Sequence, residues 1–485
     1  MPGPVDSYRY KPRSSLPPQR RRRRPWAPLV ALVLVLVVLV SGGLAVGRTW
    51  SFLQQAANLG NPLEELQRSV DPHSGTLPWK LSHGQRVNIL LLGYGGAEND
   101  APWLTDTVMV MSIDSANRRA VEVSIPRDMG VKIDAFANRE PAVDKINAAY
   151  AIGMDDGTYQ GKKPEFTGSK DRGGRLAEQT VTSVTGVQFD GYVAVDFKAF
   201  RDLVDALGGV QVCLPGPLDD NQYPNYHSGY VKGGIHFKAG CQQVNGEQAL
   251  QLSRSRHAIQ ADEASDFGRA RRQQLLLNAI RKKATSVNAI SKAPALMDAL
   301  QKDFSSNLGL SDLKALYDWS GKLSDSSIGR AAITTSDFVD TYYQRPGSCG
   351  DVNLYTLCPL DPSYNMIKTY FANLFPDPKV LKEGAPVQVV NSSRSLEDLG
   401  PRVSTTLGPL GLKMVQPVRG RAADKSVVYD YSGGKYPMTV EWLSRYFNAT
   451  VVTPTAGSTS PTPNPPDQGV AVDLGRDYAL RWIGQ

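Results

Sequence analysis

The sequence predicts an α/β fold in two domains, one large and one small, preceded by a single N-terminal transmembrane helix. Strand-like and helix-like segments alternate over residues 85–345, which indicates a large α/β or α+β domain. A second, shorter alternation begins near Pro386, and an uncharged aliphatic stretch lies near the N-terminus. The predicted parts are a cytoplasmic basic tail (1–25), the transmembrane helix (26–47), a membrane-proximal stalk (48–84), the large domain (85–345), a connector (346–384) and the small domain (385–485).

The transmembrane helix is predicted from the 23 uncharged residues between Arg24 and Arg48. As a helix they span about 34 Å, against a bilayer core of roughly 30 Å. Five arginines directly precede them, so the positive-inside rule keeps the N-terminus in the cytoplasm and the remaining chain outside. A cleaved signal peptide is the alternative, but the apolar core is long and no clear Ala-x-Ala site follows it. We therefore expect a single-pass protein of the cell membrane.

The net charge of +7 comes from residues 1–24 alone. The rest of the chain carries as many acidic as basic groups, which excludes a generally basic protein that coats nucleic acid. An arginine run can also indicate nucleic-acid binding, but beside a membrane span its role in topology and lipid-headgroup contact explains it more simply. We expect membrane lipid and no nucleic acid among the partners.

The four cysteines lie on the predicted extracytoplasmic side, where thiols oxidise. Four cysteines allow three pairings. We favour Cys213 with Cys241 and Cys349 with Cys358, because each pair would close a polar, turn-rich loop. A metal site is disfavoured, since no Cys-x-x-Cys spacing is present.

Three strand-like segments open the large domain at 87–92, 107–113 and 120–125. The short polar link 114–119 indicates a hairpin between the second and third segments. Later segments are a helix at 176–184, a strand at 191–195, a helix at 197–207 capped by Asp196 and stopped by Gly208-Gly209, a strand at 210–214, and helices near 245–253, 267–283 and 293–302.

The small domain shows a similar alternation. Its predicted elements are a strand at 387–390, a helix within 396–407, a strand at 426–429, a helix at 438–447 and a closing strand at 470–474. Residues 453–468 are rich in Pro, Ser and Thr, which is typical of a loop or linker.

The first three strands place polar residues at one rim if they are neighbours running up, down and up. The rim then holds the loop Gly93-Tyr94-Gly95-Gly96, Asp106 at the start of the second strand, and Arg127 and Asp128 after the third. Carboxylates hold a hard cation, whereas arginine and backbone N–H groups hold phosphate oxygens. The alternative is ordinary turn polarity with surface salt bridges.

More arginines follow at Arg254, Arg256, Arg269 and Arg272. Arg269 and Arg272 share one helix face. They would suit a pyrophosphate, because arginine contacts phosphate through two nitrogens and keeps its charge. The alternative is an amphipathic helix with a solvated basic face. Dinucleotide, P-loop, zinc-protease and nucleophile-elbow motifs are absent from the sequence.

A set of short motifs, in order over residues 85–285, resembles the LytR-CpsA-Psr (LCP) family. The motifs are Asn88-Ile-Leu-Leu-Leu-Gly93, Leu104-Thr-Asp106-Thr107, Ser124-Ile-Pro-Arg127-Asp128, Lys145-Ile-Asn147-Ala-Ala-Tyr150, Asp205-Ala-Leu-Gly-Gly209, Asn245-Gly-Glu-Gln-Ala249, Ser253-Arg-Ser-Arg256, and Asp266-Phe-Gly-Arg269 with Arg272-Gln-Gln274. The last hundred residues resemble the LytR C-terminal domain, through Val387-Gln-Val-Val-Asn391 and Val472-Asp-Leu-Gly-Arg-Asp477.

The resemblance implies an LCP-type catalytic domain with a central mixed sheet flanked by helices. It implies a phosphotransferase that moves a glycopolymer from a polyprenyl-pyrophosphate carrier to a peptidoglycan hydroxyl and releases polyprenyl phosphate. An apolar groove between sheet and helices would hold the lipid tail. Mg²⁺, or Mn²⁺, is the implied cofactor.

The resemblance also implies roles for individual residues. Asp106 would bind the metal, with Asp128 supporting metal or arginine placement. The implied catalytic group is Asp106, Arg127, Arg254 and Arg256, and the implied substrate-binding group is Asp128, Lys145, Asn147, Arg269, Arg272 and Gln273.

The chain departs from the family pattern at one point. Gly95 and Ala97 stand where the family usually has Asp and Arg, and Asn99 or Asp100 in the longer loop would compensate. This departure supports one competing hypothesis, a non-catalytic wall-binding or regulatory homologue. Another is a lipid-pyrophosphate hydrolase that uses water at the same site.

Overall fold

A computed structural model describes the chain in segments. The described residues are 74–97, 99–225, 229–264, 266–284, 304–320, 323, 327–333, 338–340, 356–394, 399–454 and 465–478. The predicted tail, transmembrane helix, helix 293–302 and Cys349 lie outside them. Among the residues described, none of the helices has the length and apolar character needed to cross a bilayer.

The first unit contains helices and strands in alternation. They are α1 (Leu77–Ser82), β1 (Arg86–Tyr94), β2 (Thr105–Asp114), β3 (Arg119–Ile125), β4 (Gly130–Ile133), β5 (Ala142–Lys145), α2 (Ala148–Met154), α3 (Arg172–Thr185), β6 (Gly191–Asp196), α4 (Phe197–Ala206), β7 (Val210–Leu214), β8 (Leu218–Asp220), β9 (Ile235–Phe237), β10 (Gly240–Val244), α5 (Gly246–Arg254), α6 (Ala261–Ala264), α7 (Asp266–Ala284), β11 (Phe304–Ser306), α8 (Leu310–Ser320), β12 (Ile328–Ala332), β13 (Val339–Asp340) and β14 (Cys358–Pro359).

A six-stranded mixed sheet organises this unit, in the order β11-β6-β1-β2-β3-β12. The β1–β2 and β2–β3 pairs are antiparallel, which confirms the predicted up, down, up arrangement. The parallel neighbours are β6 beside β1 and β12 beside β3. The start of β2 and the end of β3 therefore lie at the same rim.

The central strands are mostly apolar on both faces because helices cover both, although they also bury the polar residues Asn88, Ser112 and Glu122. Leu90 and Val110 pack into one core with α2 and α3, while Ile89 and Met109 pack into the other with α4, α5, α7 and α8. Side chains alternate between the faces of a strand, so each strand contributes to both cores. Polar residues are left at the rim, where the strands end.

A disulfide-closed excursion, residues 213–241, packs against the second of these cores. Its base is the antiparallel pair β7–β10, in which Cys213 lies opposite Cys241, and these two cysteines form a disulfide. The first predicted pairing is therefore confirmed. Cys358 is disulfide-bonded as well, and its pairing with Cys349 stays a prediction because Cys349 lies outside the described residues.

Two short helices, α9 (Asn365–Ala372) and α10 (Pro378–Glu383), lead to the second unit. Its elements are β15 (Pro386–Asn391), α11 (Leu399–Leu407), β16 (Lys413–Met414), β17 (Val418–Arg419), β18 (Val427–Asp430), α12 (Pro437–Phe447), β19 (Thr450–Val452) and β20 (Val470–Leu474). The strand order is β16-β15-β20-β18-β19, with β17 also beside β15. The predicted closing strand is present, and it occupies the middle of the sheet.

Candidate functional site

The rim of the first sheet carries an ion pair between β2 and the residues after β3. Arg127 Nη1 donates to Asp106 Oδ1. Both side chains are partly exposed, at 22% and 27%. Burial alone would lower the pKa of Arg127, but the Asp106 and Asp128 carboxylates outweigh it and raise that pKa. Arg127 thus keeps a full positive charge at the rim.

Asp128 gathers three cations around one buried carboxylate. Lys145 Nζ donates to its Oδ1 at 2.9 Å, and Arg256 Nη2 donates to its Oδ2 at 3.3 Å. Arg127 Nε ion-pairs with the same Oδ2 at 3.5 Å. The structure therefore brings together four of the residues predicted for the site, although Arg256 lies 128 residues from Asp128.

Backbone hydrogen bonds through Asn147 hold the two sides of this rim. The Asn147 N–H donates to the Arg127 carbonyl at 3.3 Å, and the Asn147 carbonyl accepts from the Thr105 N–H at 3.3 Å. Lys145 is opposite Gly130 in the β4–β5 hairpin, which brings its ammonium group back to Asp128. Asn147 is itself buried.

Arg254 lies at the end of α5 between two aromatic rings. Its guanidinium carbon lies 4.3 Å from the centre of the Phe197 ring and 5.7 Å from that of Tyr223. Arg254 Nη1 also donates to the Tyr223 hydroxyl at 3.4 Å. Cation–π contacts of this kind fix the plane of a guanidinium while leaving its edge for an anion. The sequence had not identified these two aromatic partners.

Arg269, Arg272 and Gln273 on α7 lie in different environments. Arg272 is 1% exposed, and its nitrogens donate to the Leu252, Ser255 and Glu263 carbonyls and to the Glu263 carboxylate. It therefore joins α5 to α7, and its predicted contact with a substrate stays a prediction. Arg269 is buried, and Gln273 Nε2 donates to the Ser253 carbonyl at 3.2 Å.

An apolar cavity of about 120 Å³ lies directly below the rim, between the sheet and helices α4, α5 and α7. The cavity lies next to both parts of the site, the rim and Arg254. Its lining residue Thr107 follows Asp106 in the chain, and the guanidinium of Arg254 lies over the ring of its lining residue Phe197. The lining residues are Leu91, Leu92, Gly93, Thr107, Met109, Val193, Val195, Asp196, Phe197, Phe200, Leu250, Ser253, Gln273, Leu276 and Leu277. The expected apolar groove is thus present at the expected place.

The loop after β1 has no space for a side chain at Gly95. A Cβ built there would lie 2.8 Å from Asn99 Cβ and 3.2 Å from the Ala101 carbonyl oxygen. Asn99 Oδ1 accepts from the Ala101 N–H at 3.1 Å, so this side chain closes the loop on itself. Asn99 thus fills the space where the family's usual aspartate would begin.

The surroundings of the Asp106 carboxylate suit a divalent metal better than those of the Asp128 carboxylate. Mg²⁺ is commonly bound through one or two carboxylates together with substrate phosphates, and the Asp106 carboxylate is partly exposed. Both oxygens of Asp128 already face cations. Within the described ranges, no group of three or more His, Cys, Asp and Glu residues converges.

Asp220 is a further residue near the site that the sequence had not singled out. It is fully buried, and its Oδ2 accepts a hydrogen bond from Ser255 Oγ at 2.7 Å. The available signal was the acidic pair Asp219-Asp220 inside the loop between two cysteines, which the sequence presents as an ordinary polar turn.

Comparisons with known proteins found a family model, relatives and a solved structure that are similar to this chain. A model of the LytR_cpsA_psr family matches residues 51–348. The polyisoprenyl-teichoic acid–peptidoglycan teichoic acid transferase TagU of Oceanobacillus iheyensis is 30% identical over 300 residues, which cover 61% of this chain and 82% of that protein. The corresponding transferase TagV of Bacillus subtilis is 28% identical over 246 residues, which cover 50% and 56%. The crystal structure of B. subtilis TagV aligns at 25% identity with a TM-score of 0.42, covering 59% of this chain and 96% of that one.

Proposed function

Because the chain belongs to the LytR-CpsA-Psr family, we propose that it is a membrane-anchored, extracytoplasmic glycopolymer phosphotransferase. Its donor is a glycopolymer on a polyprenyl pyrophosphate, and its acceptor is a hydroxyl of peptidoglycan. The relatives named as teichoic acid–peptidoglycan transferases support this reading. The anchor is the predicted helix 26–47, which keeps the enzyme at the surface where a lipid-linked donor is found.

One observation carries the proposal: a cluster of cations lies at the top of an apolar cavity. Arg127, Lys145 and Arg256 surround Asp128, and Arg254 lies on Phe197 at the cavity wall. A lipid pyrophosphate has the same division, with an apolar tail and a head of concentrated negative charge. Arginine suits that head because its planar fork binds phosphate oxygens in pairs.

The reaction is a substitution at the phosphorus next to the glycopolymer. The acceptor oxygen forms a bond to that phosphorus and its proton passes to water, while the bridging P–O bond breaks and its electron pair leaves with polyprenyl phosphate. Negative charge grows on the leaving phosphate, so fixed cations stabilise the transition state more than the bound donor. The arginines at the rim supply such cations without rearrangement.

Mg²⁺, or Mn²⁺, is the proposed cofactor, with Asp106 as its protein ligand. When bound, the metal would neutralise phosphate charge as a Lewis acid. Asp128 acts differently, since it holds three cations in place.

The lipid tail enters the cavity below the rim. Most of its lining side chains are apolar, so the cavity suits the hydrocarbon of the tail and not the charged head group. The apolar lining from Leu91 to Leu277 stabilises the tail through burial.

The decisive experiment incubates the full chain in detergent with a donor labelled in its glycan, with and without peptidoglycan. If the protein is a transferase, the label becomes attached to peptidoglycan, and the variants Asp106→Ala and Arg127→Ala lose this attachment. Release of label without acceptor would identify a hydrolase, and binding without turnover would identify the regulatory homologue. Arg119→Ala is the matched control, because Arg119 pairs with Asp114 at the opposite end of the β2–β3 hairpin.

A further inference from the structure

We infer that Asp220 is a positioning residue for this site. Its buried carboxylate fixes the segment Arg254-Ser255-Arg256, which carries two of the arginines at the rim. The inference rests on the proposed function, because it assigns a role within the same site. It identifies a residue on the disulfide-closed excursion, far from the sheet rim in sequence.

The Asp220 carboxylate receives four hydrogen bonds. Its Oδ2 accepts from Ser255 Oγ at 2.7 Å, from the Arg256 N–H at 3.3 Å and from the His257 N–H at 3.2 Å. Its Oδ1 accepts from the Gln222 N–H at 3.0 Å. The exposed fraction of the residue is 0%, so water does not substitute for any of these contacts.

The position of these donors explains why a carboxylate is needed. Helix α5 ends at Arg254, and the last helical hydrogen bond there runs from the Ser255 N–H to the Gln251 carbonyl. The following two N–H groups, of Arg256 and His257, both turn to Asp220. The Asp220 carboxylate that accepts from both is fully buried, and a buried charge is costly unless it is hydrogen-bonded, so the pairing sets the direction of the chain.

The direction of the chain decides where the two arginines point. Arg256 leaves this segment toward Asp128, and Arg254 leaves it toward Phe197 and Tyr223. Tyr223 lies three residues after Asp220 on the same excursion. The excursion therefore contacts both the backbone of the segment and one of its arginine side chains.

A second support acts on the segment from α7. Arg272 Nη2 donates to the Ser255 carbonyl at 2.5 Å, and Arg272 Nε donates to the Leu252 carbonyl at 2.8 Å. Arg272 thus holds carbonyl groups, whereas Asp220 holds N–H and O–H groups. Ser255 is held from both sides and is fully buried.

Asp220 is itself held firmly within the excursion. It is opposite Ile235 in the β8–β9 pair, and the Cys213–Cys241 disulfide joins the base strands. Gly234 lies so close that a Cβ there would be 2.7 Å from the Asp220 carbonyl oxygen, and its φ of +73° favours glycine. The excursion is therefore built to present this carboxylate at a fixed point.

The test compares Asp220→Asn with Asp219→Asn in the full chain. An amide offers one acceptor oxygen where the carboxylate offers two, so Asp220→Asn leaves at least one of the four donors unpaired. Asp219 is the adjacent residue on β8, and its carboxylate pairs outward with His236 and Gln260. We expect Asp220→Asn to weaken binding of polyprenyl pyrophosphate in micelles by on the order of ten- to a hundred-fold, with Asp219→Asn unchanged.

A double-mutant cycle separates positioning from a general folding defect. If Asp220 acts through the two arginines, Asp220→Asn has little further effect on binding in the Arg254→Ala/Arg256→Ala background. A folding defect would instead reduce binding by the same factor in both backgrounds and lower the melting temperature. Equal losses in both backgrounds, or wild-type binding by Asp220→Asn, would overturn the inference.

The same variants also distinguish a failure of the proposed binding site from a failure of the positioning role of Asp220. If Arg254→Ala/Arg256→Ala binds as tightly as the wild type, the site assignment fails together with Asp220. If the arginine variant loses binding and Asp220→Asn does not, only the positioning role fails. Thermal unfolding of every variant, measured beside binding, confirms that folded protein is being compared.

Discussion

Arg127 and Asp106 form an ion pair that joins the end of one sheet strand to the start of its antiparallel neighbour. The pair lies at the same rim as Asp128, whose carboxylate also contacts Lys145 and Arg256. These carboxylates hold the guanidinium groups in place before a phosphate arrives. The donor therefore meets cations that are already in position.

Replacing Arg127 is expected to abolish most transfer. Arg127→Ala removes a cation that touches the developing charge, and we expect a loss of about 10²–10³ in kcat. Arg127→Lys keeps the charge but loses the planar fork, so it should recover only part of the rate. Initial rates with a labelled donor measure both. Full activity of Arg127→Ala beside an equally active Arg119→Ala would contradict the assignment.

Arg272 is expected to matter for stability more than Arg271, although both pair with Glu263. Burial lowers the pKa of Arg272, against the opposing effect of Glu263. Arg272→Ala leaves Glu263 buried without its inner partner, which costs about 3–5 kcal/mol. Arg271 is 43% exposed on its side chain, so Arg271→Ala should cost less than about 1 kcal/mol. Urea unfolding of both variants measures the two losses of stability. Equal losses would contradict the expectation that Arg272 matters more.

Restoring the family's aspartate at position 95 is expected to destabilise the loop. The new Cβ of Gly95→Asp would meet Asn99 Cβ at 2.8 Å, and overpacking of this kind costs about 1–3 kcal/mol. Adding Asn99→Gly removes the obstructing side chain and should recover part of the loss. Melting temperatures of the two variants test this. Wild-type stability of Gly95→Asp alone would show that the loop rearranges freely.

Cavity filling is expected to discriminate between donors by tail length. Leu277 lines the cavity, whereas Leu275 on the same helix does not. Leu277→Trp should raise the KM for a long-chain donor more than for a short-chain donor, because the longer tail buries more apolar surface in the cavity. Leu275→Trp is the control for a bulky residue on α7. An equal effect on both donors would place the tail elsewhere.

The second unit is expected to lose stability as the pH rises through about 6. Burial raises the pKa of Asp473 to about 6, and the Ser392 hydroxyl offsets only part of that rise. Since an unfolded aspartate titrates near pH 3.9, the folded state holds an extra proton between roughly pH 4 and 6. The free energy of unfolding is then highest below about pH 4, falls up to about pH 6, and is level above it.

Asp473→Asn removes this dependence, because the amide stays neutral. We expect it to raise the free energy of unfolding near pH 7 by about 1–3 kcal/mol and to have little effect near pH 4. Urea unfolding of the variant and the wild type at pH 4 and at pH 7, followed by circular dichroism, measures the difference. Asp430→Asn is the contrasting variant, since Asp430 accepts three hydrogen bonds and its replacement should destabilise at every pH. A loss of stability in Asp473→Asn near pH 7 would contradict the reasoning.

Local patterns predicted much of the fold. The hairpin at 114–119 and the Asp196 cap of α4 are confirmed, because turn polarity and capping act over a few residues. The edge strands β11 and β12 were missed, since each is short and its partner in the sheet is distant in the chain. A strand of three to five residues gives only a weak local pattern, and that pattern does not indicate which distant strand it pairs with.

The candidate site was predicted in part. The rim group of Asp106, Arg127 and Asp128 follows from strand direction alone. The sequence could not separate a buried arginine from an exposed one, because the burial of Arg272 depends on Glu263, a residue outside its own helix. It could not identify Asp220 for the same reason, since its partners next to Arg254 lie 35 to 37 residues away.

The central place of β20 has a consequence for biosynthesis. Residues 470–474 pair with β15 on one side and β18 on the other, yet they leave the ribosome after both. Until they arrive, two half-sheets expose unpaired edges, which are templates for aggregation and targets for proteases. A nonsense codon shortly before Val470 would therefore destabilise the whole second unit, because it removes the strand that joins the two halves of the sheet.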